Sequence, residues 1–558
     1  MFEIRDRSHL TPYLLTGAVI LIGLYARPLL PLDETRYLSV AWDMHVSGNW
    51  LVPHLNGEPY EHKPPLLFWL IQMVWGVLGV SETAARLVPP AFGLGALGLT
   101  QLLGRLLWPG EEGHKAGAYA SLMVAAALWW MVFSSLVMFD LMVAFFALLG
   151  WVGLAYSLRP GKLLGGMALV GLAIGGGILA KGPVILLFVI PAGLLGPLWA
   201  PGGLKIHWRR WYAGLLAAAL TGIAIGLAWA IPAAVAGGET FAENLLWGQT
   251  VNRVSNSFAH QRPFLWYLPL LPLILFPWSV WPNTWLSLKG WVRSRDRSFF
   301  LTLLVPLLVF LAFCKISGKQ PQYLLPLFPL VMLAVARGLT APWSRMKATP
   351  AIWPVTGILV ALGLGLLAAP FILALDTRLQ NADWAGTVSE LHVPAGLMVL
   401  VVAGLAHWIG LRGRLEDGLH ACTMAVFGLF AIAHLVVFNP ALRDTYDLKP
   451  ISGVIANYQK SGYDIAFAGD YAGEYNFYGR LQRPITELYL HEVADWAAKH
   501  PNGVVVTLFR DELAPFPPLF SQPQRGRIAA LLPSRAYRAE PDARSMFLSA
   551  SIPERRTP

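Results

Sequence analysis

The sequence predicts a polytopic α-helical membrane protein that ends in a small extracytoplasmic α/β domain. The first reason is composition: of 558 residues, 56% are hydrophobic and 13% are charged, with a mean hydropathy of +0.53. Soluble domains carry about 25% charged residues, so a membrane protein is indicated. The second reason is a series of thirteen apolar stretches, and the third is a change to strand and helix patterns after residue 439.

The thirteen apolar stretches are predicted to be transmembrane helices, because about 17 to 25 apolar residues are needed to cross roughly 30 Å of hydrocarbon. They run near 12–31, 87–107, 117–138, 141–158, 163–180, 183–200, 212–236, 265–286, 299–314, 324–341, 351–375, 393–411 and 418–438. Basic residues such as Arg159, Lys162, Arg209 and Arg210 lie in the connections between them. Under the positive-inside rule these connections face the cytoplasm, which places the N-terminus inside and the chain after residue 439 outside.

One further apolar stretch, PPLLFWLIQMVWGVLG at 64–79, is short and begins with two prolines. Counting it as a span would place Arg159 and Lys162 outside, against the positive-inside rule. We therefore predict an interfacial or re-entrant helix here. The predicted transmembrane domain is 1–439, with outer-face loops at 32–86 and 237–264.

The tail from 440 to 558 has the pattern of a separate α/β domain. The segments YDIAFAGD and GVVVTLF read as short buried strands, whereas KPISGVIANYQKSG and LHEVADWAAKH read as helices. A segment of this length is sufficient for a small domain with its own core.

Two classes of protein are disfavoured by the composition. The net charge of +10 would suit a nucleic-acid binder, but the basic residues sit mainly between apolar spans, where they report topology. The two cysteines, Cys314 and Cys422, both fall in apolar segments. This placement argues against a disulfide framework and a CxxC metal site.

Ionisable and aromatic residues collect on the predicted outer face, near the ends of the spans. They are Asp33, Glu34, Arg36, Tyr60, Glu61, His62, Lys63, Asp140, Lys181, His260, Arg262, Lys319 and Tyr323. An ionisable group at membrane depth costs several kcal/mol, so such a group indicates function. Mixed carboxylates and cations around one cavity suit an anionic ligand that also carries hydroxyl or amine groups.

Five motifs resemble those of the GT-C glycosyltransferases that use polyprenyl-phosphate sugars. They are DETRY, W-x-V-P-x-L-N-G-x-P-Y-x-x-K-P-P, KGP, H-Q-R-P-F-x-W-Y and GKQPQYLLP, spread over residues 33 to 326. Their order is most similar to that of the bacterial lipid A aminoarabinose transferases, which are relatives of the protein O-mannosyltransferases. One departure is YEHKPP, where many relatives have YFEKPP, and it leaves the register of Glu61 and His62 open.

The resemblance implies a GT-C fold and an inverting glycosyltransferase of the bacterial inner membrane. It implies transfer of 4-amino-4-deoxy-L-arabinose from undecaprenyl phosphate to a lipid A phosphate, which gives resistance to polymyxin. It further implies a monomer that contacts membrane lipids and no nucleic acid, with a periplasmic C-terminal domain. A different polyprenyl-linked sugar, or a protein or glycan acceptor, is the alternative within this class.

A transporter or flippase of the same lipids is the alternative from another class. Transporters place their sites near the bilayer midplane, often on interrupted helices within inverted repeats. Here the charges lie at the outer ends of the spans and the sequence has no internal repeat. An enzyme is therefore favoured.

The resemblance also assigns roles to the outer-face residues. The catalytic carboxylates are predicted to be Asp33, Glu34 and Asp140, and the substrate-binding residues to be Arg36, Tyr60, Lys63, Lys181, Arg262, Lys319 and Tyr323. Asp33 has an alternative role as a helix N-cap, and Glu34 as an acidic residue in a first helical turn. No cofactor is required for this chemistry, although a divalent metal has candidate ligands in Glu61, His62 and His260.

Overall fold

The N-terminal four fifths of the chain are almost entirely helical. The structure, a computed structural model, describes residues 9–202, 204, 206–245, 262–294, 296–340, 352–374, 385–509 and 517–537. Within these ranges seven helices are long and apolar enough to cross a membrane: Glu82–Leu107, Asp140–Ser157, Leu163–Lys181, Trp208–Gly237, Pro321–Thr340, Leu391–Gly410 and Leu415–Asn439. Five shorter apolar helices are Thr11–Ala26, Leu66–Leu78, Ile185–Leu194, Phe300–Lys315 and Trp353–Leu367. The predicted multi-span helical architecture is confirmed.

Several shorter helices complete this region. They are Asp33–Ser47, Glu111–Ala125, Leu128–Phe133, Gly196–Trp199, Glu239–Glu243, Pro282–Ser294 and Ala369–Ala374. The continuous span predicted near 265–286 is wrong, because the chain there forms only the short helices Leu268–Leu270 and Leu271–Ile274 before Pro282–Ser294. Proline recurs along this stretch, and each proline removes a backbone donor that a continuous helix needs.

The segment predicted to be interfacial is the helix Leu66–Leu78. Its 13 residues extend about 20 Å at 1.5 Å per residue, well short of the hydrocarbon core. Its residue Trp75 stacks on Phe477 of the C-terminal domain, with ring centroids 5.5 Å apart. A helix of this length with this contact fits the predicted interfacial position.

The helix Asp33–Ser47 follows the first apolar helix through a tight turn. Leu32, immediately before it, has φ 82° and ψ −71°, and Gly48 ends it in the left-handed conformation. A two-stranded hairpin comes next, with His54–Leu55 paired antiparallel to Glu58–Pro59. Its turn residues Asn56 and Gly57 both have positive φ, as a type I′ turn requires.

Two antiparallel helices bring charged residues to one end of the bundle. Asp140 begins the helix Asp140–Ser157, and Lys181 ends the next helix, Leu163–Lys181. A Cβ added to Gly153 would lie 2.8 Å from the Gly166 carbonyl oxygen, so these backbones approach closely. Small residues permit such packing between membrane helices. The pair therefore places Asp140 and Lys181 side by side.

The C-terminal domain is built on a five-stranded mixed sheet. Its strands are Asp464–Ala468, Thr486–Leu488, Gly503–Phe509, Phe520–Gln524 and Arg527–Pro533. The first three are mutually parallel, with Asp464–Ala468 in the middle, and the last two form a hairpin whose Arg527–Pro533 pairs antiparallel with Gly503–Phe509. The domain's helices are Lys449–Lys460, Asn476–Gly479 and Val493–Lys499. The two predicted strands and the two predicted helices are confirmed, whereas the other three strands and the helix Asn476–Gly479 were not predicted. The predicted boundary at 439/440 falls within the helical segment Ala433–Leu442.

Candidate active site

Asp33 is half-exposed at the start of its helix. It is the first helical residue and not the N-cap, so the capping alternative is wrong. Its Oδ1 accepts hydrogen bonds from Arg36 Nη2 at 2.6 Å and from the Tyr37 hydroxyl at 3.4 Å. The Asp33 side chain is 49% exposed and that of Arg36 is 28% exposed. Within the described part of the chain both bonds end on Oδ1, which leaves Oδ2 for a substrate.

Glu34, the next residue, is fully buried in a different environment. Its two oxygens accept from Arg27 at 2.5 and 3.1 Å, from the Leu30 N–H at 2.9 Å and from the Val137 N–H at 2.7 Å. Burial alone would raise the pKa of this carboxyl, but Arg27 and Arg86 hold it below its ordinary value. Each oxygen already accepts two donors, so this geometry favours a structural role, and the catalytic role of Glu34 stays a prediction.

Asp140 and Lys181 form a second charged pair at one end of the bundle, the end predicted to face outward. Lys181 Nζ lies 2.5 Å from Asp140 Oδ1, and the two side chains are 15% and 3% exposed. The same Nζ lies 4.7 Å from the centroid of the Tyr323 ring. Among the described residues, Asp140 Oδ2 is buried without a hydrogen-bond partner. A buried carboxylate oxygen is costly to leave unbonded, so this atom is suited to a hydroxyl or ammonium of a ligand.

Aromatic side chains join these two charged pairs. Phe139, which precedes Asp140, packs edge-on against Tyr37 with ring centroids 4.9 Å apart. Lys63 Nζ lies 5.9 Å from the centroid of the same Phe139 ring. Tyr60 is buried and contacts the His62 ring at 5.3 Å. The structure therefore brings seven predicted residues into one site: Asp33, Arg36, Tyr60, Lys63, Asp140, Lys181 and Tyr323.

Arg262 and Lys319 lie on neighbouring loops that contact each other. The Lys319 ammonium donates to the Arg262 carbonyl at 3.0 Å and to the Ile316 carbonyl at 2.5 Å. Lys319 is only 3% exposed, whereas Arg262 is exposed, with its guanidinium 5.6 Å from the Trp266 ring centroid. Lys319 thus stabilises the contact between the two loops, and Arg262 is the more accessible of the two cations. Phosphate binding by both residues stays a prediction.

The predicted metal ligands are only partly described. Glu61 Oε1 lies 4.0 Å from His62 Nδ1, and the His62 side chain is 53% exposed. His260 lies outside the described residues. Within the described ranges no group of three or more His, Cys, Asp or Glu side chains is arranged to hold a metal ion. Glu61 and His62 alone provide two of the three or four protein ligands that a zinc site normally has.

Sequence reasoning did not assign roles to Tyr37 and Arg27. Tyr37 follows Asp33 by four residues, a spacing that places both on one helix face and was available from the sequence. Burial and Asp33 raise the pKa of the Tyr37 hydroxyl well above its ordinary value, so it remains a hydrogen-bond donor. Arg27 donates to Glu34 and to the Ser135 carbonyl, which is 108 positions away, and no local signal in the sequence indicates the second contact.

Comparison with known proteins relates this chain to a family of transferases. The undecaprenyl phosphate-α-4-amino-4-deoxy-L-arabinose arabinosyl transferase of Pseudomonas paraeruginosa is 31% identical over 390 residues, which cover 67% of this chain and 67% of that protein. The transferase of the same name from Pseudomonas aeruginosa is 30% identical over 391 residues, with the same coverage of both chains. No family model matches the sequence.

A solved structure has the same fold over nearly the whole chain. The crystal structure of ArnT from Cupriavidus metallidurans bound to undecaprenyl phosphate matches with a TM-score of 0.70, covering 94% of this chain and 97% of that chain. Their sequences are 20% identical, so this likeness concerns the fold alone. The predicted GT-C fold is confirmed, and the coverage extends into the C-terminal domain.

Proposed function

The chain belongs to the family of undecaprenyl phosphate-α-4-amino-4-deoxy-L-arabinose arabinosyl transferases, and from this premise we propose that it transfers this aminopentose from undecaprenyl phosphate to a phosphate of lipid A. The observation that supports the proposal is the outer-end site, where the carboxylates of Asp33 and Asp140 lie among the cations of Arg36, Lys63 and Lys181. Such a site offers partners for both the phosphate and the sugar of the donor.

The cations would act on the leaving group. When the sugar leaves, the donor's phosphodiester becomes a phosphate monoester, which is already a weak base and needs charge stabilisation more than a proton. Lys63 and Arg262 are suited to hold that phosphate, because charge-assisted hydrogen bonds to phosphate are strong. Lys181, which is 15% exposed beside the Tyr323 ring, would contribute further positive charge to the site.

The carboxylates would act on the sugar. The acceptor phosphate is an anion near neutral pH, so it can attack without a strong general base. Asp33, whose Oδ2 takes no part in the bonds to Arg36 and Tyr37, would orient the sugar or stabilise positive charge that develops on the anomeric carbon. Asp140 Oδ2 is suited to a hydroxyl or to the cationic amine of the sugar. Attack opposite the leaving group would invert the anomeric configuration.

We place the protein in the bacterial inner membrane, with the site and the C-terminal domain on the periplasmic face. Moving a cationic sugar onto lipid A would lower the negative charge of the outer membrane, and with it the attraction for polymyxin. The proposed reaction needs no cofactor, since lysine and arginine supply the positive charge. Activity that survives EDTA treatment would support this last point, and loss that a divalent metal reverses would contradict it.

The test combines purified protein with undecaprenyl phosphate-linked aminoarabinose and lipid A. We expect lipid A to gain the mass of one pentosamine, and the Asp33→Asn variant to give no such product. In cells, deletion of the gene under inducing conditions should remove the same mass from lipid A and raise polymyxin sensitivity. Unchanged lipid A, together with a sugar lost from a protein or another glycan, would contradict the proposed acceptor and favour the alternative within the same enzyme class.

A further inference from the structure

The turn that carries Asp33 is strained and therefore needs external support. Leu32 has φ 82° and ψ −71°, a positive-φ γ-turn conformation that is rare for a residue with a side chain. Such conformations persist only where the surrounding structure over-determines them. The position of the Asp33 carboxylate depends directly on this turn, because the two residues are consecutive.

One set of supports comes from the membrane domain. Arg27 binds Glu34 through two hydrogen bonds and also donates to the Ser135 carbonyl. Arg86 donates to the Arg27 carbonyl at 2.9 Å and to the Gly23 carbonyl at 2.6 Å. These bonds fix residues on both sides of the strained turn.

A second set comes from the C-terminal domain. The Leu29 N–H donates to the Tyr478 hydroxyl at 3.1 Å, and Leu29 is completely buried. Lys449 Nζ lies 3.0 Å from Glu82 Oε2, and Glu82 Oε1 in turn pairs with Arg86 at 3.1 Å. The same Lys449 Nζ lies 5.3 Å from the Tyr478 ring centroid. The domain thus contacts the segment that precedes Asp33 directly through Tyr478, and indirectly from Lys449 through Glu82 and Arg86 to Arg27.

The segment that carries Tyr478 is itself fixed to the Asp33 helix. Ser39 Oγ donates to the Gly473 carbonyl at 2.5 Å and accepts from the Phe477 N–H at 3.3 Å. The Trp42 indole donates to the Leu481 carbonyl at 2.8 Å. Tyr478 therefore lies in a segment that is hydrogen-bonded, at Phe477 and at Leu481, to the helix Asp33–Ser47.

From these contacts we propose that the C-terminal domain positions the strained turn at Leu32, which carries the Asp33 carboxylate, and that Tyr478 is the positioning residue. The Tyr478 hydroxyl satisfies the buried Leu29 N–H and so stabilises the conformation of residues 29–33 in which Asp33 faces the site. This role rests on the proposed function for its effect on rate. Its effect on the turn itself can be measured without any substrate.

The test is Tyr478→Phe, which removes only the hydroxyl. We expect kcat to fall about ten- to hundredfold, since small misplacements of a reacting group have effects of this size, while the KM for the donor stays within about twofold. Hydrogen exchange at the amides of residues 27–37 should become faster, because the Leu29 N–H loses its partner. The melting temperature should change by only about 2 °C, since one hydrogen bond is lost.

Tyr458→Phe is the matched control, because Tyr458 lies in the same domain and packs on Tyr463 at a centroid distance of 5.2 Å. It should leave kcat and the exchange at 27–37 unchanged. Unchanged hydrogen exchange in Tyr478→Phe would overturn the proposal, whatever the sugar. If the wild-type enzyme uses a different polyprenyl-linked sugar, the proposed function is refuted. The kcat of Tyr478→Phe relative to wild type would then be measured with that sugar. Equal loss of kcat in both variants would also overturn the proposal.

Discussion

Replacing Glu34 with glutamine removes one charge from a buried ion pair while it keeps the side-chain volume. Glu34 is 1% exposed and Arg27 is 4% exposed, so the guanidinium would remain buried without its counter-charge. Removal of one partner from such a pair costs about 3 to 5 kcal/mol. Each Glu34 oxygen also accepts a hydrogen bond from a backbone N–H. In the glutamine variant an NH2 group replaces one of these oxygens, so that two donors would face each other. We therefore expect a loss of about 4 to 6 kcal/mol.

The two cysteines offer an assay for this loss. Cys314 and Cys422 are both buried, so a thiol-reactive fluorescent dye reports thermal unfolding in detergent. Glu34→Gln should lower the melting temperature by roughly 5 °C or more. The double variant Arg27→Met/Glu34→Gln should recover part of the loss, because no unpaired buried charge remains.

The neighbouring carboxylate supplies the matched comparison. Asp33 is half-exposed and pairs with Arg36 near the surface, where an ion pair stabilises by at most about 1 kcal/mol. Asp33→Asn should therefore melt close to the wild type and yet lose transfer at least about a hundredfold, the effect of one electrostatic contact at a transition state. An unchanged melting temperature in Glu34→Gln, with transfer lost, would refute the reasoning and assign Glu34 to the chemistry.

Three further predictions concern other charged residues of the predicted outer face. Lys63→Ala should weaken undecaprenyl phosphate binding by roughly 10- to 100-fold in Kd, whereas Lys162→Ala, in a predicted cytoplasmic connection, should leave the Kd unchanged; equal effects would place the phosphate elsewhere. Lys181→Met should destabilise the fold by about 3 to 5 kcal/mol, because Asp140 stays buried without its cation; thermal unfolding would show this, and a second substitution, Asp140→Leu, should recover most of the loss without restoring transfer. Burial raises the pKa of Asp43 from 3.8 to about 6, so its stabilising contribution is complete below pH 3.8 and is lost as the pH rises through 6. Asp43→Asn should therefore stabilise the protein by about 2 kcal/mol at pH 7.5 and have little effect near pH 4; equal melting shifts at both pH values would contradict the assignment.

The sequence predicted most of the grouping at the site because membrane topology is a strong constraint. Asp140 immediately precedes the predicted span 141–158 and Lys181 immediately follows the next one, 163–180, so the order of the spans predicts both residues at the same end of the bundle. Asp33 and Arg36 are three residues apart on one helix, which predicts their contact directly. The apolar segments YDIAFAGD and GVVVTLF likewise predicted the short buried strands that the structure has at Asp464–Ala468 and Gly503–Phe509.

Contacts between distant segments could not be predicted in this way. Glu34 has the same side-chain chemistry as Asp33, and its different environment includes Arg27 and the Val137 N–H, which folding brings to it. The ammonium of Lys319 is directed to backbone carbonyls by the local path of two loops. Tertiary structure therefore decides which of the charged residues are available to a ligand.

The hairpin turn at Asn56 determines which segments can be exchanged between members of this family to make a chimera. The Asn56 side chain donates to the Ile485 carbonyl at 2.7 Å and accepts from the Ile485 N–H at 2.8 Å, so it pairs with that residue as a neighbouring strand would. The C-terminal domain is therefore hydrogen-bonded to the loop between the first two apolar helices, although the two segments are far apart in the sequence. A chimera that exchanges only the chain after residue 440 between relatives would separate these partners. The natural module for exchange comprises that domain together with residues 27–86.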